Sequence, residues 1–235
     1  MNIVIGVGEI GTAVGEVLKR QDSVVGRGKE DPGFKSKGGN LHICYPYSET
    51  FVKDTKRYIR QYKPKTVIVY STTPIGTCEK IGKDIVHSPV EGKHPHLEDS
   101  ILIMPRWIGV KNKKARERAF KLWRPYVKVI RLMASSRYTE FLKLRSTAKF
   151  GINLVWTDYE KAVADRVGIN FSAVKEFDQD YNNLYKELGL DEFQRYILDP
   201  PNGVIGGHCL VPNAEMLNQQ YFNPWLTEIT NMEKK

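Results

Sequence analysis

The sequence has 235 residues, of which 41% are hydrophobic and 27% charged, and this composition excludes a disordered or fibrous chain. No run approaches the roughly 20 apolar residues of a membrane-spanning helix and no basic leader precedes the first apolar segment, so we expect a cytoplasmic protein without a membrane partner. Lysine and arginine outnumber aspartate and glutamate by 36 to 27, and the net charge of +9 favours anionic ligands. Three widely spaced cysteines predict free thiols and neither a disulfide framework nor a Cys-based metal site.

The first 130 residues alternate short apolar runs with amphipathic stretches. Continuous apolar strands between helices are typical of a parallel sheet that is covered on both faces. The sequence therefore predicts an α/β protein with a Rossmann-type, doubly wound parallel sheet that forms a dinucleotide-binding domain over residues 1–134. The predicted strands are 2–7, 23–26, 41–45, 66–70, 85–86, 107–110 and 127–132, and the predicted helices are 10–20, 50–62 and 113–123.

The pattern changes near Ser135. Apolar residues recur every three or four positions from 139 to 167 and predict one long helix. Further helices are predicted at 172–188, where Gly189 is the cap, at 191–197, and from about 214 after a Pro-Pro-Asn-Gly break. We expect a smaller, all-helical substrate and dimerisation domain over residues 135–235.

The glycines at positions 6, 8 and 11 form a G-x-G-x-x-G motif between the first strand and the first helix. In dinucleotide-binding folds such glycines permit a tight turn and a close approach of the backbone to a pyrophosphate, and the helix N-terminus offers free N–H groups. We predict that Gly6, Gly8, Glu9, Ile10 and Gly11 bind NAD or NADP. The alternative is a tight turn without a ligand.

The end of the second strand bears on the choice of cofactor. An acidic residue would bind the ribose hydroxyls of NAD there, but this stretch contains Arg27, Gly28 and Lys29, with no carboxylate before Glu30. Arg27 and Lys29 could bind a 2′-phosphate, which slightly favours NADP. The alternative is that Arg27 and Lys29 are solvated loop residues that bind no phosphate.

Hydroxyl side chains follow the most apolar strand at Ser71, Thr72 and Thr73. Ligands of open α/β sheets bind at the carboxyl ends of the strands, so we predict that these three residues line the cofactor crevice. Capping of the next helix would explain them equally well.

The segment 203–212 places Cys209 after two adjacent glycines and His208. A thiolate is a good nucleophile, and His208 or a nearby lysine could stabilise it, which makes Cys209 a candidate catalytic residue. An isolated cysteine is more often a small buried hydrophobe.

Taken together, these motifs resemble the nucleotide-sugar dehydrogenases, the UDP-glucose, UDP-N-acetylmannosamine and GDP-mannose dehydrogenase group of the 6-phosphogluconate dehydrogenase-like superfamily. The resemblance spans nearly the whole chain. It includes the glycine loop, Pro46 as the proline after a strand, the S-T-x-P-x-G-T segment at 71–77, Glu140 followed by Lys143, and a G-G-H-C loop that continues to Pro212. Members of this family carry a third, C-terminal domain that binds the nucleotide. These 235 residues do not include it, so we expect a standard nucleotide sugar to lose much of its binding site.

Three positions depart from the family pattern. Thr147 replaces an asparagine, Asn213 replaces an aspartate, and Val90 replaces a glutamate, with Glu91 one place later.

The resemblance implies two successive oxidations of a primary alcohol through a thiohemiacetal and a thioester on Cys209. Lys143 would stabilise the oxyanion, Thr147 and Asn213 would support it, Pro46 would contact the cofactor, and the long helix would form a homodimer core. The substrate would be an anionic small molecule, a nucleotide sugar or a sugar phosphate.

Two other functions stay open. One is a two-electron dehydrogenase of the 6-phosphogluconate or β-hydroxyacid type, and the other is a dinucleotide-binding protein that has lost catalysis. Nucleic-acid binding is the least favoured alternative, because the basic stretch 111–118 is typical of a solvated helix face.

Overall fold

The computed structural model describes residues 1–28, 38–92, 95–201, 205 and 209–232. The chain forms two compact units, Met1–Lys143 and Leu144–Lys235. The division lies inside a long helix, α6 (Ser136–Arg166). The change of the sequence pattern near Ser135 coincides with the start of this helix.

The first unit contains a seven-stranded sheet in the order β2-β1-β3-β4-β5-β6-β7. All neighbouring strands are parallel except β5 and β6, which pair antiparallel with His87 opposite Gly109. The predicted Rossmann-type α/β fold is confirmed, but the sheet is not wholly parallel. An apolar run buried on both faces does not reveal strand direction, so the sequence could not show this reversal. The strands are β1 (Asn2–Ile5), β2 (Val24–Arg27), β3 (Asn40–Ile43), β4 (Thr66–Val69), β5 (Ile85–His87), β6 (Arg106–Gly109) and β7 (Ile130–Met133).

Helices cover both faces of the sheet. One face packs against α1 (Glu9–Lys19), α4 (Leu97–Ile103) and α5 (Lys113–Trp123). The other face packs against α2 (Phe51–Tyr62) and α3 (Thr77–Ile81). A helix after residue 77 was anticipated only through the capping alternative, and α4 was not predicted, because neither helix is long enough to show a helical period in the sequence.

In the described part of the second unit the regular elements are helical: the remainder of α6, then α7 (Phe171–Glu187), α8 (Leu210–Gln220) and α9 (Pro224–Asn231). The predicted long helix and the all-helical composition are confirmed. Gly151 of α6 permits close packing, because a Cβ there would lie 2.7 Å from Ile229 Cδ1 and 2.8 Å from Leu210 Cδ2.

The helix predicted at 191–197 is wrong, since only a 3₁₀ turn forms at Asp191–Phe193. The backbone N–H of Arg195 donates to Asn182 Oδ1 over 2.7 Å, and Asn182 Nδ2 donates to the carbonyl of Arg195 over 3.0 Å. The segment therefore bonds to α7 at Arg195, which ends its own short turn of hydrogen bonds.

The predicted last helix is two helices. The first begins at Leu210, because Pro212 falls in its first turn, where proline is tolerated. The second begins after Asn223, whose side chain accepts a hydrogen bond from Trp225 N, with Pro224 at its first position.

Within these described ranges, no helix is both long and apolar enough to cross a membrane.

Candidate functional site

The glycine motif forms the predicted turn between β1 and α1. Gly6 has a φ of +93°, and a Cβ on it would lie 2.6 Å from the backbone nitrogen of Tyr45. A Cβ on Gly11 would lie 1.7 Å from the carbonyl oxygen of Gly6. These two positions require glycine because the backbone itself occupies the space.

Gly8 differs from its two neighbours. It is the N-cap of α1 with a φ of −73° and no side-chain cap, and no atom lies within 4 Å of a Cβ built on it. The first N–H groups of α1, including those of Glu9 and Ile10, have no partner within the helix and can bind an anion. A glycine with open space at a helix N-terminus fits a dinucleotide pyrophosphate, because the absent side chain leaves room for the phosphates.

Arg27 ends β2 beside this turn. Its carbonyl accepts a hydrogen bond from Gly6 N over 2.8 Å, and its Cα is in register with Ile5. The strand end carries no carboxylate at Arg27 or Gly28. Lys29, the second predicted phosphate ligand, lies outside the described residues.

The predicted hydroxyl residues lie at the carboxyl end of β4. Ser71 Oγ donates to the carbonyl of Tyr45 over 2.6 Å, which ties this loop to the segment that carries the exposed Pro46. Thr73 is fully buried, and its Oγ1 has no hydrogen-bond partner among the described residues. Thr72 is half-buried. Pro46 and the hydroxyls thus lie at neighbouring strand ends on the carboxyl edge of the sheet.

Glu140 is a buried carboxylate that we did not assign to the site from sequence. It accepts hydrogen bonds from Gly76 N over 2.6 Å and from Cys78 N over 2.8 Å, at the start of α3. Burial raises the pKa of the Glu140 carboxyl, and the two N–H donors oppose this rise. Glu140 therefore joins the first turns of α6 to the loop after β4.

His87 at the end of β5 was also missed. Its Nδ1 lies 2.9 Å from Thr139 Oγ1, and its Nε2 lies 3.1 Å from the carbonyl oxygen of Ser71. Burial lowers the pKa of His87 to about 4, so the imidazole is neutral at pH 7. These contacts of His87 hold the first turn of α6 against the carboxyl ends of β4 and β5.

Lys143 is held by the loop that follows β5. Its Nζ donates to the carbonyl of Val90 over 2.8 Å and to Glu91 Oε2 over 3.1 Å. Arg106 is buried and donates from Nη1 to the carbonyl of Pro89 over 3.2 Å, so it anchors the same loop. Glu91, one place after Val90, thus places a carboxylate beside Lys143.

In the second unit, Asn213 and Thr147 are hydrogen-bonded. Asn213 is 4% exposed, and its Nδ2 donates to Thr147 Oγ1 over 3.2 Å. Cys209 is the N-cap of α8, one turn before Asn213, and its carbonyl accepts from Asn213 N over 3.1 Å. The start of this helix favours negative charge at the cap. Gly206, Gly207 and His208 lie outside the described residues.

The three thiols are unpaired and differ in exposure. Cys209 is exposed, whereas Cys44 and Cys78 are buried, and burial raises the pKa of both buried thiols. Cys78 is closed to solvent because its side chain faces the α2 and α3 side of the core. Cys209 is the accessible thiol among the three.

The structure thus brings the predicted residues together in two places. The glycine loop, the strand-end hydroxyls and Lys143 lie at one edge of the sheet in the first unit, and Thr147, Asn213 and Cys209 lie at the start of α8 in the second.

No family model and no curated protein sequence matches the chain. Solved structures do match. UDP-D-ManNAc dehydrogenase from Pyrococcus horikoshii is similar with a TM-score of 0.83 at 18% identity, covering 100% of this chain and 68% of that protein. UDP-glucose dehydrogenase from Pyrobaculum islandicum follows with 0.73 at 14%, covering 99% and 67%. A 3-hydroxyisobutyrate dehydrogenase from Mycobacterium tuberculosis gives 0.73 at 11%, covering 99% and 92%.

These similarities establish the class of fold, a Rossmann-type α/β unit followed by a helical unit. More particularly, the chain shares its fold with about two thirds of the UDP-D-ManNAc and UDP-glucose dehydrogenase structures, at 68% and 67% of their lengths.

Proposed function

We propose that the protein is an NAD(P)-dependent dehydrogenase that oxidises an alcohol of an anionic sugar. The observation that carries this proposal is the placement of Lys143 at the same sheet edge as the glycine loop. Lys143 donates to the carbonyl of Val90, which follows the carboxyl end of β5, while the loop follows the carboxyl end of β1. Open α/β sheets bind cofactor and substrate along this edge.

The chain's own residues account for binding of the dinucleotide. The N–H groups at the start of α1 would hold the pyrophosphate above Gly8, and Pro46 and the hydroxyls of 71–73 would line the crevice. Arg27 would contact a 2′-phosphate, so we propose a preference for NADP over NAD. When bound, the nicotinamide supplies the hydride acceptor.

Lys143 supports the chemistry through charge. Its ammonium group would stabilise the negative charge that develops on the substrate oxygen as the alcohol loses its proton. The contacts with Val90 and Glu91 fix the direction of the Lys143 side chain before the substrate binds, and this lowers the cost of its reorganisation.

For the four-electron reaction we propose Cys209 as the nucleophile. Its sulfur would add to the carbonyl carbon of the aldehyde to form a thiohemiacetal. Loss of a second hydride from this carbon, with a proton from the hydroxyl, would give the thioester. Water would then add to the thioester carbonyl and release the acid and the thiol. Asn213 lies one turn from Cys209 and is hydrogen-bonded to Thr147. The amide and hydroxyl groups of this neutral pair would make polar contacts around this carbon.

The second candidate is a two-electron dehydrogenase of the β-hydroxyacid type. One observation in its favour is the neutral Asn213 and Thr147 pair, which offers no carboxylate to activate water. The other is that the structural match extends over 92% of the length of the hydroxyisobutyrate dehydrogenase. In this case Lys143 alone would act on the substrate oxygen.

We also propose a homodimer. Helix α7 has 17 residues and none of them is buried. Phe177 is 65% exposed, Leu184 is 52% exposed and Leu188 is 59% exposed. A second copy that covers this apolar surface would supply the burial that the helix lacks.

The deciding experiment measures the moles of reduced cofactor formed per mole of substrate. Nucleotide sugars, sugar phosphates and β-hydroxyacids are screened with NAD and with NADP, and the product is identified by mass. Two reduced cofactors and an acid support the Cys209 reaction, and one reduced cofactor supports the two-electron reaction. If NAD and NADP both fail to bind, the proposed function is wrong.

A further inference from the structure

The positive charge of the chain is concentrated in one stretch of sequence. Residues 111–131 contain nine lysines and arginines against a single glutamate, a net charge of +8 out of the +9 of the whole chain. This stretch consists of α5, the turn that follows it, and the start of the edge strand β7. The proposed function uses none of these residues.

Most of these charges are exposed and form no ion pair with the described residues. Lys111 pairs with Glu79 over 2.9 Å. The other eight cations form no ion pair with any residue in the described ranges, and seven of these eight are exposed. We call the lysines and arginines of 113–131 the basic face.

Helix α5 directs this face outward. Ala115, Ala119 and Trp123 are fully buried against the sheet, so the opposite side of the helix is left to the solvent. Lys114, Arg118 and Lys121 follow one another at i, i+4 and i+7 and form a stripe about 10 Å long. One acidic residue, Glu117, interrupts the charge.

The chemistry of the face selects its partner. A helix that lies on a membrane must insert a free apolar side, and the apolar side of α5 is already in the core. Tight protein partners need apolar or aromatic anchors, and the remaining apolar residues of α5, Phe120 and Leu122, are half-buried. A nucleic-acid duplex, by contrast, is bound through charge alone.

The dimensions also match a duplex. With one phosphate per about 3.4 Å along each strand, the roughly 16 Å of α5 can run beside about five phosphates of one strand. No exposed aromatic ring lies on α5 for stacking on bases, so the contact would be made to the backbone.

We propose that the basic face binds the sugar–phosphate backbone of a nucleic-acid duplex without sequence preference. From sequence alone the stretch was expected to be a solvated helix face. The structure adds that these charges form no ion pair with any described residue and that they extend through Arg131 on the edge strand of the sheet.

The test is fluorescence anisotropy of a labelled 20-base-pair DNA duplex with the full chain at 50 and 200 mM salt. The variant removes the stripe by Lys114→Gln, Arg118→Gln and Lys121→Gln. The control removes the same charge from α2 by Lys53→Gln, Lys56→Gln and Arg60→Gln. Circular dichroism and thermal melting establish that both variants fold.

With about four phosphates contacted, wild-type affinity should fall about 150-fold between the two salt concentrations. The stripe variant should keep about one contact, so its affinity should fall only about fourfold, and it should bind at least tenfold more weakly at 50 mM. The control should stay within about threefold of the wild type, and Glu117→Gln should bind more tightly because it removes the one opposing charge.

Three outcomes would overturn the proposal. One is the absence of duplex binding at 50 mM salt with the protein at 100 µM. Another is an equal loss of affinity in the stripe and control variants, which would indicate net charge and no defined face. The third is binding to vesicles of phosphatidylcholine with 30% phosphatidylserine in the absence of duplex binding.

Discussion

Replacing Gly8 by alanine should separate cofactor binding from folding. A Cβ at Gly8 meets no atom within 4 Å and the φ of −73° suits alanine. Alanine restricts the unfolded chain, which stabilises the protein by less than about 1 kcal/mol. Alanine is also a poorer N-cap than glycine, which destabilises it by a similar amount. Because the two effects oppose each other, the free energy of unfolding should change by less than about 1 kcal/mol.

The effect on binding should be much larger. The added methyl group would occupy the space in which the pyrophosphate approaches the N–H groups of α1. Loss of one charge-assisted hydrogen bond costs about 1.5–3 kcal/mol, which corresponds to an increase in Kd of about 10- to 100-fold. Titration of NADH and NADPH fluorescence measures Kd, and urea unfolding measures stability.

Two other glycines of α1 provide the controls. Gly15→Ala places a Cβ 3.8 Å from Val24 Cγ1, an ordinary contact, so it should leave Kd unchanged and stabilise the helix by up to about 1 kcal/mol. Gly11→Ala forces a Cβ to 1.7 Å from the Gly6 carbonyl oxygen and should destabilise the protein by about 3 kcal/mol or more. If Gly8→Ala binds both cofactors within threefold of the wild type, the phosphates do not lie over this turn.

Arg27→Ala should weaken NADPH at least tenfold and leave NADH unchanged, because it removes a charge-assisted contact to the 2′-phosphate; equal loss for both cofactors would contradict this. Iodoacetamide should label Cys209 well before the two buried thiols, and Cys209→Ser should stop acid formation while cofactor still binds; full turnover in that variant would exclude the covalent mechanism. His87, with its pKa lowered to about 4, should contribute stability above pH 6.5 that is lost as pH falls towards 4, at about 1.4 kcal/mol per pH unit, and a urea series with His87→Gln should show a flatter profile. Light scattering should give the dimer mass at micromolar concentrations and the monomer mass for Phe177→Glu; a monomeric wild type would refute the dimer.

The parts of the site that the sequence predicted well are those that local backbone geometry dictates. Gly6 and Gly11 are glycines because any side chain would meet the backbone of Tyr45 or of Gly6 itself. The need for glycine arises within one strand, one turn and one helix, so a six-residue motif is enough to predict it. The long helix α6 was predictable for the same reason, since its period repeats along one element.

The supporting contacts escaped prediction because their partners are far apart in the chain. Glu140 bonds to residues 62 and 64 positions away, and His87 meets Thr139 across 52 positions. The short helix that receives Glu140 has no period to detect, and the buried imidazole has no motif. Such contacts follow from the packing of α6 on the sheet, which only the three-dimensional structure reveals.

The departures from the family pattern are accompanied by local compensation, and this bears on whether the protein has lost catalysis. Glu91, one position after Val90, bonds to Lys143, so the lysine keeps a carboxylate partner. Asn213 bonds to Thr147, and at a position only 4% exposed this neutral pair avoids the desolvation that a carboxylate would incur. Both positions thus keep hydrogen-bonded side chains, which is what the dehydrogenase that we propose requires of a preorganised site.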